Sequence, residues 1–286
     1  MKIAWIGTGV MGKPMALHLK NGGHEIKAYN RSPEKADDLE EFGITPCKTI
    51  EECVKDAEFI FTIVGFPKDV EEVYFSPEGI LAFAKAGAVA IDMTTSSPEL
   101  AKRIYEEGKK KNIHIIDAPV SGGDSGAKAG TLSIMAGGDK EGFEKALPLF
   151  ELMGKNIIYM GGPGCGQHTK AANQIAIAGA VAAMTEAIYY AEENGLDIES
   201  MLNAIKNGAA GSWQLMNTAP RVLNGDFDPG FFIKHFIKDM NIIKSVMAEK
   251  GKELTMLNSV CSLYEALMEK GHGDEGTQAL IKYYRG

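Results

Sequence analysis

The sequence predicts an α/β domain built on a doubly wound parallel sheet, followed by an all-α C-terminal domain joined to it by a long helix. Three observations lead there. Short β-branched runs alternate with amphipathic helical patterns up to about residue 160; a Gly161-Gly162-Pro163-Gly164 break follows; no strand pattern appears beyond it. Alternation of this kind places helices on both faces of a parallel sheet.

In chain order, strands are expected at 3–6, 25–29, 59–64, 89–92, 114–117, 132–136 and 157–159. The first intervening helix carries Met11, Met15, Leu17 and Leu19, and a later one Leu100, Ile104 and Tyr105, each at helical spacing. Ser32-Pro33 and Ser97-Pro98 read as helix starts. After the glycines an Ala-rich helix is expected from 166 to 193, read as buried, then helices near 197–207, 212–224, 234–250, 254–270 and 275–283. The expected domains are 1–162 and 163–286.

The composition excludes several classes. Of 286 residues, 45% are hydrophobic, and 30 basic against 38 acidic side chains leave a net charge of −8. That acidic balance, with a pI near 5.4, offers no attraction to phosphate backbones or anionic lipid. The longest uncharged stretch, 171–185, is short of the roughly 20 residues of a membrane span. Residues 1–7 enter a strand pattern directly, without the basic and apolar regions of an export signal. Four cysteines form no CxxC pair and six histidines no ligand cluster, so neither a disulfide scaffold nor a metal site is expected. Free thiols fit a reducing cytoplasm.

Gly7-Thr8-Gly9-Val10-Met11-Gly12 matches GxGxxG between a predicted strand and helix. Gly7 permits the turn, Gly9 admits a pyrophosphate to the backbone, and Gly12 allows close packing; the helix N-terminus then faces the anion. The first domain is therefore a Rossmann-type nucleotide-binding domain. Eighteen residues past Gly12, where an NAD site places an acid on the ribose, stand Asn30, Arg31 and Ser32. Asn30 does not repel a 2′-phosphate, Arg31 can pair with it and Ser32 can donate to it, so NADP(H) is preferred with NAD(H) possible. The competing reading makes Arg31 a solvated loop charge.

Three further segments combine polar groups with tight backbone. Asp117-Ala118-Pro119-Val120-Ser121-Gly122-Gly123 could present a hydroxyl and N–H groups to a carboxylate. Lys170 and Asn173 share a face of the long helix beside an uncharged run. Burial there would lower the lysine pKa toward a range useful for proton transfer; alternatively the side chain reaches solvent by snorkelling. Lys238-Asp239, taken alone, reads as a surface feature.

Together these segments resemble the β-hydroxyacid dehydrogenase family end to end. The resemblance rests on residues 7–16, 117–123, 164–173 and 238–240, four motifs in order. It implies Lys170 as the catalytic lysine, Asn173 as a substrate-orienting residue and Ser121, Gly122 and Gly123 as the carboxylate loop. It implies Thr95 near nicotinamide and substrate, Val64 and Pro67 lining the cofactor, and Lys238 reaching it. Phe231 and Asp239 match substrate-pocket positions in the semialdehyde-reducing, NADPH-using branch, which Asn30-Arg31-Ser32 also resembles.

The function implied is reduction of a small carboxylate-bearing semialdehyde, such as succinic semialdehyde, by NADPH, or its reverse from the hydroxy acid. Lys170 would be the general acid/base, no metal is needed, and a homodimer or homotetramer is expected by analogy. Phe231, Phe232 and Met240 read as an apolar wall favouring a substrate longer than glyoxylate. The alternatives are an NAD-dependent 3-hydroxyisobutyrate, tartronate semialdehyde or 2-(hydroxymethyl)glutarate dehydrogenase, and a non-catalytic NADPH-binding scaffold.

Overall fold

The computed structural model describes residues 1–286. By packing, the chain forms two compact units, Met1–Lys170 and Ala171–Gly286.

The first unit holds nine strands: β1 (Lys2–Ile6), β2 (Glu25–Tyr29), β3 (Thr45–Cys47), β4 (Phe59–Thr62), β5 (Val89–Asp92), β6 (His114–Asp117), β7 (Val120–Ser121), β8 (Leu132–Gly138) and β9 (Gly154–Gly161). They lie in the order β3-β2-β1-β4-β5-β6-β8-β7, with β9 beside β8. From β3 to β6 every pair is parallel. Chain order reverses between β1 and β4, which opens a crevice at their carboxyl ends.

Both faces of this sheet are covered, which explains the unbroken apolar runs. Ile3 and Trp5 join Phe61, Ile91 and Phe150 in one core, while Ala4, Ile6, Ile60 and Ala90 join Val70 and Tyr74 in another. Trp5 stacks on Phe61 at 5.4 Å between ring centroids. Ser97 caps the helix Pro98–Lys110, accepting from Leu100 N at 3.3 Å, as its Ser-Pro start predicts.

The far end of the sheet is not the parallel continuation expected. β8 runs antiparallel to both β6 and β7. β6 and β7 share one continuous register against β8, and the connection that reverses the chain into β8, residues 122–131, holds only the short helix Gly123–Ala129, too little for a crossover. Two strands lacked an expectation: β7, with two residues, and β3, which includes Pro46 and tolerates it at the sheet edge.

The long helix, Cys165–Glu193, runs from the first unit into the second. It is long and apolar enough to cross a membrane by length and composition, yet a third of its most apolar window is buried. The burial is a stripe, with Ala178, Val181, Met184 and Ile188 entering the second core. There they meet residues from Ile198–Ile205, Ile233–Ala248 and Thr255–Glu269, with Phe236 edge-on to Tyr264 at 5.3 Å. The helix expected over 212–224 is present over 213–223, with a π-turn at Gln214–Thr218 running directly into Ala219–Leu223. Pro220 cannot donate to the carbonyl four residues back, so the regular helical ladder is interrupted there.

Candidate active site

The glycine loop leaves β1 at the point where strand order reverses. Gly7 has φ +96°, and a Cβ on it would lie 2.0 Å from Ile63 O; a Cβ on Gly12 would lie 2.0 Å from Gly7 O. These two glycines are required by packing. Gly9 differs: a Cβ there meets nothing within 4 Å. It lies exposed just before the helix Gly12–Asn21, where Lys13 N donates back to Gly9 O at 3.0 Å and Pro14 carries no N–H. An open, backbone-lined space at a helix N-terminus fits a dinucleotide pyrophosphate.

The end of β2 is tied to this loop. Asn30 Nδ2 donates to Thr8 Oγ1 at 2.8 Å, Thr8 Oγ1 donates to Lys35 O at 2.8 Å, and Ser32 N donates to Asn30 Oδ1 at 2.9 Å. Asn30 thus staples the two loops together. Arg31, its side chain 75% exposed, pairs with Asp69 at 3.0 Å. Asp69 is itself held by Phe66 N, which donates to Oδ2 at 3.0 Å. The expectation for Arg31 did not include this neighbouring acid, 38 residues on in sequence. Val64 N donates to Thr94 Oγ1 at 3.0 Å, which joins the loops after β4 and β5; Pro67 begins the helix Pro67–Phe75.

The same unit carries the lysine. Lys170 is 7% exposed and donates from Nζ to Val120 O at 2.9 Å. It does not snorkel. The accepting carbonyl belongs to the residue before Ser121, whose loop turns through Gly122 (φ +132°) and Gly123 (φ +63°) into the helix Gly123–Ala129. Positive φ at both positions makes glycine the fitting residue. Thr95 is half-buried between buried Thr94 and Ser96.

Two residues given no role from sequence organise this region. Asp117, 3% exposed, accepts from Gly164 N and Gln167 N at 2.9 Å each. Burial pushes its carboxyl up to about 6, against the opposing pull of the backbone N–H donors. Gln167, 2% exposed, accepts from Ser96 N at 2.9 Å and donates to Thr94 O at 2.7 Å. Its place three residues before Lys170 on a helix was the available signal.

In the second unit, Asn173 follows one helical turn after Lys170. Asn173 Nδ2 donates to Gln174 Oε1 at 2.8 Å, and Gln174 Nε2 donates to Asp239 Oδ2 at 2.6 Å. Lys238 lies 3.1 Å from Asp239 Oδ1, an ion pair without hydrogen-bond alignment. Lys238-Asp239 is therefore not a surface feature; Asp239 is 2% exposed and engaged with Gln174. Phe231 packs edge-on against Phe236 at 5.8 Å. Met240 is fully buried in the helical core and lines no wall, so the long-substrate argument rests on Phe231 and Phe232. Burial, then the charges of Lys238 and Lys234, hold His235 below the ordinary imidazole range. No group of three or more His, Cys, Asp or Glu side chains is arranged to hold a metal.

The fold and the loop at its switch point define an NAD(P)-dependent oxidoreductase, and comparison with known proteins agrees. Residues 2–161 match the NAD-binding domain of 6-phosphogluconate dehydrogenase, and residues 164–284 the NAD-binding model of NADP-dependent 3-hydroxyisobutyrate dehydrogenase. An uncharacterised oxidoreductase of Bacillus subtilis (strain 168) is 51% identical over 282 residues, 99% of this chain and 98% of that one. A probable mitochondrial 3-hydroxyisobutyrate dehydrogenase-like protein of Arabidopsis thaliana is 44% identical over 281 residues, 98% of this chain and 84% of its own. The structure of Mycobacterium tuberculosis 3-hydroxyisobutyrate dehydrogenase with L-serine superposes with a TM-score of 0.92 at 29% identity, covering 100% of this chain and 99% of that one. The chain belongs to the β-hydroxyacid dehydrogenase family.

Proposed function

We propose that this protein reduces a small carboxylate-bearing semialdehyde with NADPH, succinic semialdehyde being the favoured member of the class, and that Lys170 is its general acid/base. The observation that supports this most is the burial of Lys170 against Val120 O, beside the Ser121-Gly122-Gly123 turn. A buried ammonium is costly unless its charge is used.

The cofactor would be held by the backbone of residues 7–12 at the helix N-terminus, by Val64, Pro67 and Thr95, and by Lys238. Asn30 shapes the ribose end, and Arg31 and Ser32 take the 2′-phosphate. When bound, the nicotinamide supplies the hydride chemistry. The protein's own groups do the rest. Ser121 Oγ and the N–H groups of Gly122 and Gly123 take the substrate carboxylate, as a nest of donors does. Asn173 orients the substrate, and Thr95, Phe231 and Asp239 shape its surroundings. The Lys170 ammonium stabilises charge on the carbonyl oxygen and protonates it; in the reverse direction the neutral amine takes that proton from the alcohol.

One observation favours a second reading of the cofactor. Asp69 already occupies Arg31, and a carboxylate beside the ribose end is what an NAD site uses. Initial rates at the reduced-nicotinamide absorbance band, with NADPH and NADH against C2 to C5 aldehyde acids, decide both points. NADPH turnover highest with succinic semialdehyde is the expected result; NADH preference would overturn the assignment to Arg31. No turnover by a chain that binds NADPH would shift the reading to a scaffold. We also propose a homodimer or homotetramer, which sedimentation of the purified chain tests.

A further inference from the structure

We propose that Gln167 is a positioning residue that sets Thr95 in register with Lys170 by gripping the peptide groups on either side of Thr95. The proposal rests on the reading of Thr95 and Lys170 as site residues.

Gln167 sits in the first turn of the long helix, three residues before Lys170, so the two side chains leave neighbouring points of one helix face. Its amide reaches a segment 71 to 73 residues earlier in the chain. Oε1 accepts from Ser96 N at 2.9 Å and Nε2 donates to Thr94 O at 2.7 Å. Those groups flank Thr95, and a primary amide presents the adjacent donor and acceptor that a neighbouring strand would offer them. The grip is dry: Gln167, Thr94 and Ser96 are 2%, 2% and 3% exposed, while Thr95 between them is half-buried.

The amide is itself fixed at both ends. The backbone N–H of Gln167 donates to Asp117 Oδ2 at 2.9 Å, and Asp117 Oδ1 accepts from Gly164 N at 2.9 Å. Thr94 is held independently, its N–H donating to Asp92 Oδ1 at 3.0 Å and its Oγ1 accepting from Val64 N at 3.0 Å. Space allows little drift, since a Cβ on Gly166, the preceding residue, would lie 2.4 Å from both Asp117 O and Met135 O. One helical turn thus carries the lysine, the clamp on the Thr95 segment and the link to the strand that leads into the Ser121 loop. Loss of the clamp frees Thr95 to shift relative to Lys170, and small displacements of reacting groups reduce turnover steeply.

The test uses Gln167→Glu, close to isosteric but unable to donate to Thr94 O when ionised, and Gln167→Met, which fills the space with neither hydrogen bond. Both are compared with Thr95→Ala and with the double variants, by kcat with NADPH and semialdehyde and by NADPH Kd from fluorescence, in protein checked for cooperative melting. The expected result is a kcat loss on the order of ten- to a hundredfold, with NADPH Kd raised no further than in Thr95→Ala. In the Thr95→Ala background the Gln167 substitutions should add little. Wild-type kcat in either Gln167 variant, or full additivity with Thr95→Ala, would overturn the proposal alone. If Thr95→Ala keeps wild-type kcat, the reading of Thr95 as a site residue fails and the proposal falls with it. Should Gln167→Glu not fold, Gln167→Met carries the same comparison.

Discussion

Lys170 donates to the carbonyl of Val120, 50 residues earlier in the chain, at 2.9 Å. A buried ammonium and the residue preceding the Ser121-Gly122-Gly123 turn are thereby joined directly.

The first prediction follows from that contact. Lys170→Ala should lower kcat by roughly 10²- to 10⁴-fold, the usual contribution of a positioned acid/base group, with NADPH Kd changed little. Lys170→Arg retains charge but not the point geometry, and should stay low. Steady-state rates beside a fluorescence titration with NADPH measure both; near wild-type turnover in a folded Lys170→Ala chain would remove the lysine from the mechanism.

The glycine loop separates packing from binding. Gly12→Ala drives a methyl group to within 2.0 Å of Gly7 O and should destabilise the fold by about 3 kcal/mol or more. Gly9→Ala meets nothing within 4 Å, so it should melt like the parent. It should nonetheless weaken NADPH binding at least about tenfold, or about 1.4 kcal/mol, by keeping the pyrophosphate off the backbone. Thermal melts with and without NADPH check both. Parental binding by Gly9→Ala would show that the open space serves something else.

Cofactor choice turns on Arg31. Arg31→Gln should raise KM for NADPH roughly 10- to 150-fold, the worth of a charged phosphate contact of about 1.5 to 3 kcal/mol, and leave KM for NADH nearly alone. Asp69→Asn should have a smaller and opposite effect. Releasing an exposed guanidinium from an ion pair worth at most about 1 kcal/mol lowers KM for NADPH by up to about fivefold. Equal changes for the two cofactors in either variant would exclude 2′-phosphate recognition at Arg31.

Asp117 predicts a pH signature in stability. Its carboxyl is raised from 3.8 to about 6 in the folded chain, chiefly by burial, so folding favours the protonated form. The folded state therefore binds more protons between those values, and the stability that Asp117 supplies is present below about pH 4 and lost as pH rises through 6. That difference corresponds to about 3 kcal/mol. Urea unfolding of the parent and of Asp117→Asn at several values from pH 4 to 7 should show the parent's advantage shrinking by that order as pH rises. A pH-independent difference would mean that the carboxylate stays charged throughout.

Much of this was legible in the chain itself, because the signals are local. The apolar runs of β1, β4 and β5, the Ser97-Pro98 helix start and the GxGxxG turn each depend on residues within a few positions of one another. Backbone geometry and side-chain periodicity act over that range, so the α/β domain, the long helix and the nucleotide loop could be placed from sequence.

Tertiary structure decided what depends on partners remote in the chain. The antiparallel end of the sheet follows from the short connection over residues 122–131, which turns the chain straight back along β6 and β7. The Arg31–Asp69 pair, the Asn173–Gln174–Asp239 chain and the Gln167 clamp join groups separated by 38, 65 and 71 or more residues. Met240, read with Phe231 and Phe232 as an apolar wall, became core because the helix Ile233–Ala248 turns that face inward. Hydrogen bonds and burial are set by neighbours in space, and those neighbours exist only once the chain has closed on itself.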